Sequence, residues 1–220
     1  MKPSQTLYVS AVFLLILLAA SAWFYPHLPA QVPVHWNAQG QVNGYMPPLK
    51  AVAMPIGMLV LLAVLTVVLP RISPRSYEIA PFAAVFGIVM LAAQALILIV
   101  GLGILLNAAG HPVDMPRITL CALGLLLIVQ GNFMGKLRKN FFAGIKTPWT
   151  LASDAVWERT HRLAGWLFVL AGCLVVAAAL AEMPVWVSLA VVFAAALIPA
   201  VCSYFIYRRL EGRRPPEGDA

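Results

Sequence analysis

PFAAVFGIVMLAAQALILIVGLGILL, residues 81–106, runs for 26 residues without an acidic residue, a lysine, an arginine or a histidine. Its most polar side chain is the amide of Gln94. An amphipathic surface helix keeps a polar stripe, and this stretch has none. A helix needs roughly 20 apolar residues to cross the hydrocarbon core of a bilayer. Residues 81–106 exceed that, so they predict a span that tilts or emerges at one end.

Working outward, residues 7–25, 51–69, 118–134, 163–181 and 185–207 have the same character. Six such stretches predict an all-α integral membrane protein of six transmembrane helices. Composition agrees: 62% of the 220 residues are apolar and 10% are charged. A soluble domain carries about 25% charged residues, so lipid is the expected solvent for most of this chain. Pro55 and Pro81 are expected in first turns, where a missing N–H is no loss. Cys121, Cys173 and Cys202 all fall within spans, and they read as small core residues rather than a disulfide set.

Lysine and arginine set the expected orientation. With the N-terminus in the cytoplasm, the inner segments hold Lys2, Arg71, Arg75, Lys136, Arg138, Lys139, Lys146, Arg159, Arg162, Arg208, Arg209, Arg213 and Arg214. The outer segments hold only Lys50 and Arg117. This is a strong positive-inside bias, and an even span count puts both termini in the cytoplasm. The net charge of +7 is thus spread over short loops, and no direct nucleic-acid binding is expected. A competing reading takes Lys2, the first apolar run and Ala20-Ser21-Ala22 as a cleavable signal peptide, which would leave five spans.

Two polar segments remain. The outer one, 26–50, contains LPAQVPVHWNAQGQVNGYMPP and favours turns and short extended pieces. The inner one, 135–162, carries six basic residues, two tryptophans and His161. Topology and contact with anionic lipid account for Lys136, Arg138 and Lys139. Gly144 then permits a sharp turn, Pro148 disfavours helix at Thr147, and Trp149 suits the headgroup level. Thr150 or Ser153 is expected to cap a new helix, with Asp154 and Glu158 near its positive end. Trp157 and His161, four apart, share a face with Thr160 and Ala164 adjoining, and Glu158 can pair with Arg162. The simplest account is an interfacial helix anchored by tryptophan, with a locally bonded histidine. The functional account is one site built from Asn132, Asn140, Gly144, Lys146, Thr147, Pro148, Trp149, Thr150, Trp157, Thr160, His161 and Arg162.

The inner run GNFMGKLRKNFFAGIKTPWTLASDAVWERTHRLAGW resembles the signature region of the SdpI-type bacterial immunity proteins. Their pattern is a GN pair, N-x-x-x-G-I-[RK]-T-P-W-T-L, and a W-x-x-T-H-[RK] helix start. Positions matching it are Gly131, Asn132, Asn140, Gly144 to Leu151, Trp157, Thr160, His161, Arg162 and Gly165. The outer stretch is similar to the family's P-x-x-[IV]-P-x-H-[FW]-N-x-x-G pattern at Pro29, Val32, Pro33, His35, Trp36, Asn37 and Gly40, followed by Gly44-Tyr45. The resemblance implies a multi-pass protein of the bacterial inner membrane, without catalysis, that protects against a secreted peptide toxin. It also implies two partners, the toxin and a transcriptional repressor held at the membrane; the outer loop, with His35, Trp36, Asn37 and Gly40, is the expected recognition surface. The tail EGRRPPEGDA has no motif tied to repressor capture. Two units are expected, 1–70 with two spans and 71–220 with four.

Other chemistries fit less well. An ion-driven transporter usually carries ionisable groups within its spans, and the middle of each span here has none. A small-solute or lipid-handling transporter is the alternative reading. Gln94 and Gln130 are expected to hydrogen-bond between spans. His27, His35 and His111 are assigned outside and His161 inside, with no metal-ligand spacing or cofactor motif. His27 with His35 could sense pH, but a turn-stabilising hydrogen bond of His35 inside the HWN segment, 35–37, is the expectation.

Overall fold

A computed structural model describes residues 3–212. Among the described residues, six long helices are apolar enough to cross a membrane. They are α1 (Pro3–Phe24), α2 (Pro48–Ile72), α3 (Ala83–Ala108), α4 (Met115–Met134), α6 (Asp154–Leu180) and α7 (Val185–Leu210), with a one-turn α5 (Pro148–Ala152) before α6. Between α1 and α2 lies an antiparallel hairpin of β1 (Val32–Trp36) and β2 (Val42–Met46). Large side chains such as Trp186, Leu189, Phe193 and Leu197 point outward from α7, a surface that only lipid can solvate at low cost. Lys2, Arg213 and Arg214 of the expected inner charge lie outside the described residues.

Three boundaries differ from the sequence expectation. Pro81 sits in a 3-10 turn, Ala80–Phe82, ahead of α3. Pro55 lies inside α2, because the helix already begins at Pro48. The lost backbone bond is tolerated within a packed bundle. Pro55 is buried where α1, α2 and α3 meet: a Cβ on Gly101 would lie 3.2 Å from Leu17 and 3.3 Å from Pro55. Finally, the polar turn before the fifth span is continuous with it, forming one helix from Asp154.

α3 packs on α1, α2 and α4, while α6 packs on α4 and α7. The α4–α6 crossing is made by two glycine pairs. A Cβ at Gly124 would lie 2.8 Å from the Gly172 carbonyl, and one at Gly131 2.7 Å from the Gly165 carbonyl. Each pair is spaced by seven residues on both helices, so one face of each is flat over two turns. Such faces let backbones approach and maximise dispersion contact where lipid supplies no hydrophobic drive. Gly165 and Gly172 supply the α6 side of this face.

Other polar and small residues deviate from expectation. Gln94 is fully buried on α3, but neither amide atom has a hydrogen-bond partner among the described residues, so the expected interspan bond is not made. Cys173 is exposed, and Cys121 and Cys202 are half-buried, so the cysteines are not core residues. All three are simply tolerated on an apolar surface.

The helices leave two working ends. One holds the hairpin and the α3–α4 and α6–α7 turns, tied by an Arg117–Glu182 ion pair. We term it the hairpin end. The opposite end holds the 73–82 and 135–153 segments and is termed the loop end.

Candidate functional site

At the loop end, the chain after α4 is organised by one amide. Asn140 is fully buried. Its Oδ1 accepts the N–H groups of Phe142 and Ala143 at 2.8 and 2.7 Å. Its Nδ2 donates to the carbonyls of Arg138 and Ala143 at 2.8 and 3.0 Å. All four bonding sites of the amide are used, which folds 138–143 into a closed loop. Gly144 follows with φ +112°, a left-handed conformation that disfavours any Cβ. A Cβ there would also collide with His161 Nε2.

A separate one-turn helix, α5, precedes the expected one, whose N-cap position is Ser153 as expected. Thr147, extended at φ −110° and ψ 161°, is the N-cap of α5, and Pro148 is the first helical residue. Thr147 Oγ1 accepts the Thr150 N–H at 3.2 Å, and Thr150 Oγ1 accepts the Thr147 N–H at 2.9 Å. This reciprocal box makes Thr150 a partner of the cap instead of the cap itself. Ser153 stands at the N-cap of α6 without a capping bond, and its hydroxyl donates to Glu211 at 2.8 Å. Thr147 also bonds Ser203 on α7 at 2.9 Å, and Trp149 packs edge-on against Tyr204. The loop is thereby strapped to the end of α7.

Trp157 and His161 share a face as expected: the rings stack at 3.9 Å with 20° between planes. Both are buried, however, so Trp157 is not an interfacial anchor. Its Nε1–H donates to the Leu137 carbonyl at 2.7 Å. His161 Nδ1–H donates to the Trp157 carbonyl at 2.8 Å, and Nε2 accepts the Ile145 N–H at 2.9 Å. The two bonds fix one neutral tautomer, with the proton on Nδ1. Thr160 is fully buried with no partner for its hydroxyl among the described residues.

Other predicted residues sit apart from this core. Lys146 is exposed, and its ammonium donates to the carbonyls of Phe141 and Phe142 at 3.0 and 3.3 Å. Arg162 points outward and pairs with Glu158 at 2.5 Å. Asn132 is exposed on α4 and bonds only its own helix, at the Ile128 carbonyl. Leu137, Ile145, Ser203 and Glu211 were not anticipated. They contribute through backbone groups or through contacts distant in sequence, which no local pattern signals.

At the hairpin end, Asn37 organises the β-turn. Its Oδ1 accepts the N–H groups of Gln39 and Gln41 at 3.0 and 2.9 Å, and its Nδ2 donates to Gln41 at 3.1 Å. Gly40 supplies the positive φ of +76°. His35 is exposed and bonds Asn43 across the strands at 2.5 Å, so its partner lies on β2 and not within the 35–37 segment as expected. Gly44 faces His35 so closely that a Cβ would lie 2.8 Å from His35 Cβ. Val32 is fully buried and roots the hairpin among Ala51, Ile104 and Met115. His35, Trp36 and Asn37 line an open groove of about 520 Å³ whose other wall is Met115, Pro116 and Leu120 of α4 and Val185 and Leu189 of α7.

Comparison with known proteins adds four findings. Residues 136–203 match the SdpI/YfhL protein family, and residues 12–59 match a domain of unknown function, DUF1648. The chain is 24% identical over 208 residues to the immunity protein SdpI of Bacillus subtilis (strain 168), covering 94% of this chain and 98% of that protein. No solved structure matches. The first match contains the capped turn and the Trp157–His161 stack, and the second ends within α2 after the hairpin. This chain is a multi-pass bacterial inner-membrane protein that resembles the SdpI/YfhL protein family along its C-terminal part and the SdpI immunity protein along nearly its whole length.

Proposed function

We propose that this chain is a non-enzymatic membrane immunity protein that protects its cell from a secreted peptide toxin. The observation that carries this reading is the likeness to an immunity protein over 94% of the chain, with both polar segments included. Recognition is assigned to the groove beside the hairpin. Trp36 is half-buried there and offers a rigid amphipathic surface, a frequent hot spot in peptide binding. The hairpin end faces outside and both termini lie in the cytoplasm, as the charge bias requires. The loop end is then the inner platform. A cytoplasmic repressor would dock on its exposed parts, Lys146 and Arg162, held in place by Gly144 and the buried Asn140, Trp157 and His161. The chain divides into 1–70 and 71–220, each containing one of the matched regions.

Deleting the gene should sensitise cells to peptide toxins secreted by neighbours, and restoring the chain should reverse this. Unchanged sensitivity across such toxins would remove the reading. The unpartnered buried amide of Gln94 favours a second one, passage of a small neutral solute through the bundle. Saturable flux into liposomes containing the purified chain would support that alternative instead.

A further inference from the structure

We propose that the cleft between residues 75–81, 135–139 and the first turns of α6 is a binding site for a phosphate ester, such as the head group of a glycerophospholipid. The cleft has a volume of about 640 Å³, and it is separate from the groove at the hairpin end. Arg75 lines it from the segment between α2 and α3, and Lys136 and Arg138 line it from the segment after α4. Among the described residues, none of these three cations has a carboxylate partner.

Two of the three carboxylates lining the cleft are already neutralised. Asp154 pairs with Lys139 at 2.8 Å and Glu158 pairs with Arg162 at 2.5 Å. With Glu158 neutralised by Arg162 from outside the lining, Glu78 alone opposes Arg75, Arg138 and Lys136, the last also lying over the Phe133 ring at 4.9 Å, which leaves an excess of two positive charges. Membrane topology asks for positive charge on one side of the bilayer, and it does not ask that separate segments gather it around one cavity. Bringing like charges together is unfavourable unless an anion joins them. The walls suit the rest of such a ligand. Pro81 is exposed at its side and offers apolar surface for a glycerol backbone, while Leu137 and Trp157 are buried beneath the floor. Arginine offers planar, paired donors to phosphate oxygens, and two arginines are present.

The full chain, purified in a neutral detergent, can be titrated by calorimetry with two probes: dihexanoyl phosphatidylglycerol and glycerol 3-phosphate. Binding of the lipid alone identifies a membrane head group. Binding of both, or of glycerol phosphate alone, identifies a soluble phosphate ester as a ligand of the same site. Arg75→Gln with Arg138→Gln should weaken binding about tenfold or more, the scale of lost charge-assisted bonds. Arg208→Gln with Arg209→Gln removes equal charge from the end of α7 and should leave binding unchanged. Glu78→Gln should tighten it, which a merely structural role would not do. Absence of binding by both probes overturns the proposal, as does an equal loss in the two double variants or weaker binding by Glu78→Gln. Each variant is compared only when its elution profile matches the parent's.

Discussion

His161 Nε2 accepts the backbone N–H of Ile145 at 2.9 Å, across 16 residues of sequence. This bond joins the GIKTPWT turn to the helix that carries Trp157. The ring is buried, so the N–H has no water to turn to if the nitrogen is removed. His161→Phe keeps the stack on Trp157 and removes the acceptor. An unsatisfied buried donor costs about 1–3 kcal/mol. Hydrogen exchange at the Ile145 amide should accelerate by about one to two orders of magnitude. Unchanged exchange would mean the bond does not hold the turn.

Gly144 makes the same junction sensitive to a single methyl group. Its φ of +112° and the closeness of His161 leave no room for a side chain. Gly144→Ala should lower stability by about 1–3 kcal/mol through backbone strain alone. Gly57→Ala is the control, since open space surrounds that position on α2. Thermal unfolding in detergent should separate the two, with Gly144→Ala lower and Gly57→Ala close to the parent.

The α4–α6 crossing predicts a second pattern of sensitivity. Gly131→Val and Gly172→Val place branched side chains against a facing backbone. Overpacking typically costs about 1–3 kcal/mol, and here the helices must also separate. Both variants should melt earlier than the parent, whereas Gly110→Val, in a turn with free space, should suffer only from its positive φ of +89°. Equal melting of all three would show that close helix approach adds little.

Orientation is open to chemical labelling. Gln39 and Ser76 are exposed at opposite ends of the bundle. In a background without Cys121, Cys173 and Cys202, Gln39→Cys should react with a membrane-impermeant thiol reagent in intact spheroplasts. Ser76→Cys should react only after the membrane is opened. The reverse pattern would invert the protein and move toxin recognition to the loop end.

The spans were legible because lipid demands long uncharged stretches, and nothing else in a chain looks like residues 81–106. The Trp157–His161 stack was legible from four-residue spacing, and the turns and extended pieces of 26–50 from their composition, though not their pairing into a hairpin. What local patterns left out is tertiary. Trp157 reads as an interface anchor until the Leu137 carbonyl, 20 residues away, is found on its indole N–H. Thr150 has the chemistry of an N-cap, but Pro148 suits the first helical position and moves the cap back to Thr147. Asn132 sits one helical turn from the loop in sequence, yet it points away on α4. The seven-residue spacing of Gly124 with Gly131, and of Gly165 with Gly172, was available as a signal for the α4–α6 contact.

Toxin recognition beside the hairpin is tested most directly by Trp36→Ala. Trp36 adjoins the groove, and truncating such a hot spot can cost 2 kcal/mol or more of binding, about thirtyfold in affinity. The measurement is survival of cells challenged with the toxin at matched membrane abundance of parent and variant. Loss of protection by Trp36→Ala, at undiminished abundance, is the predicted result. Full protection by the variant at equal abundance would contradict the account and exclude the groove as the recognition surface.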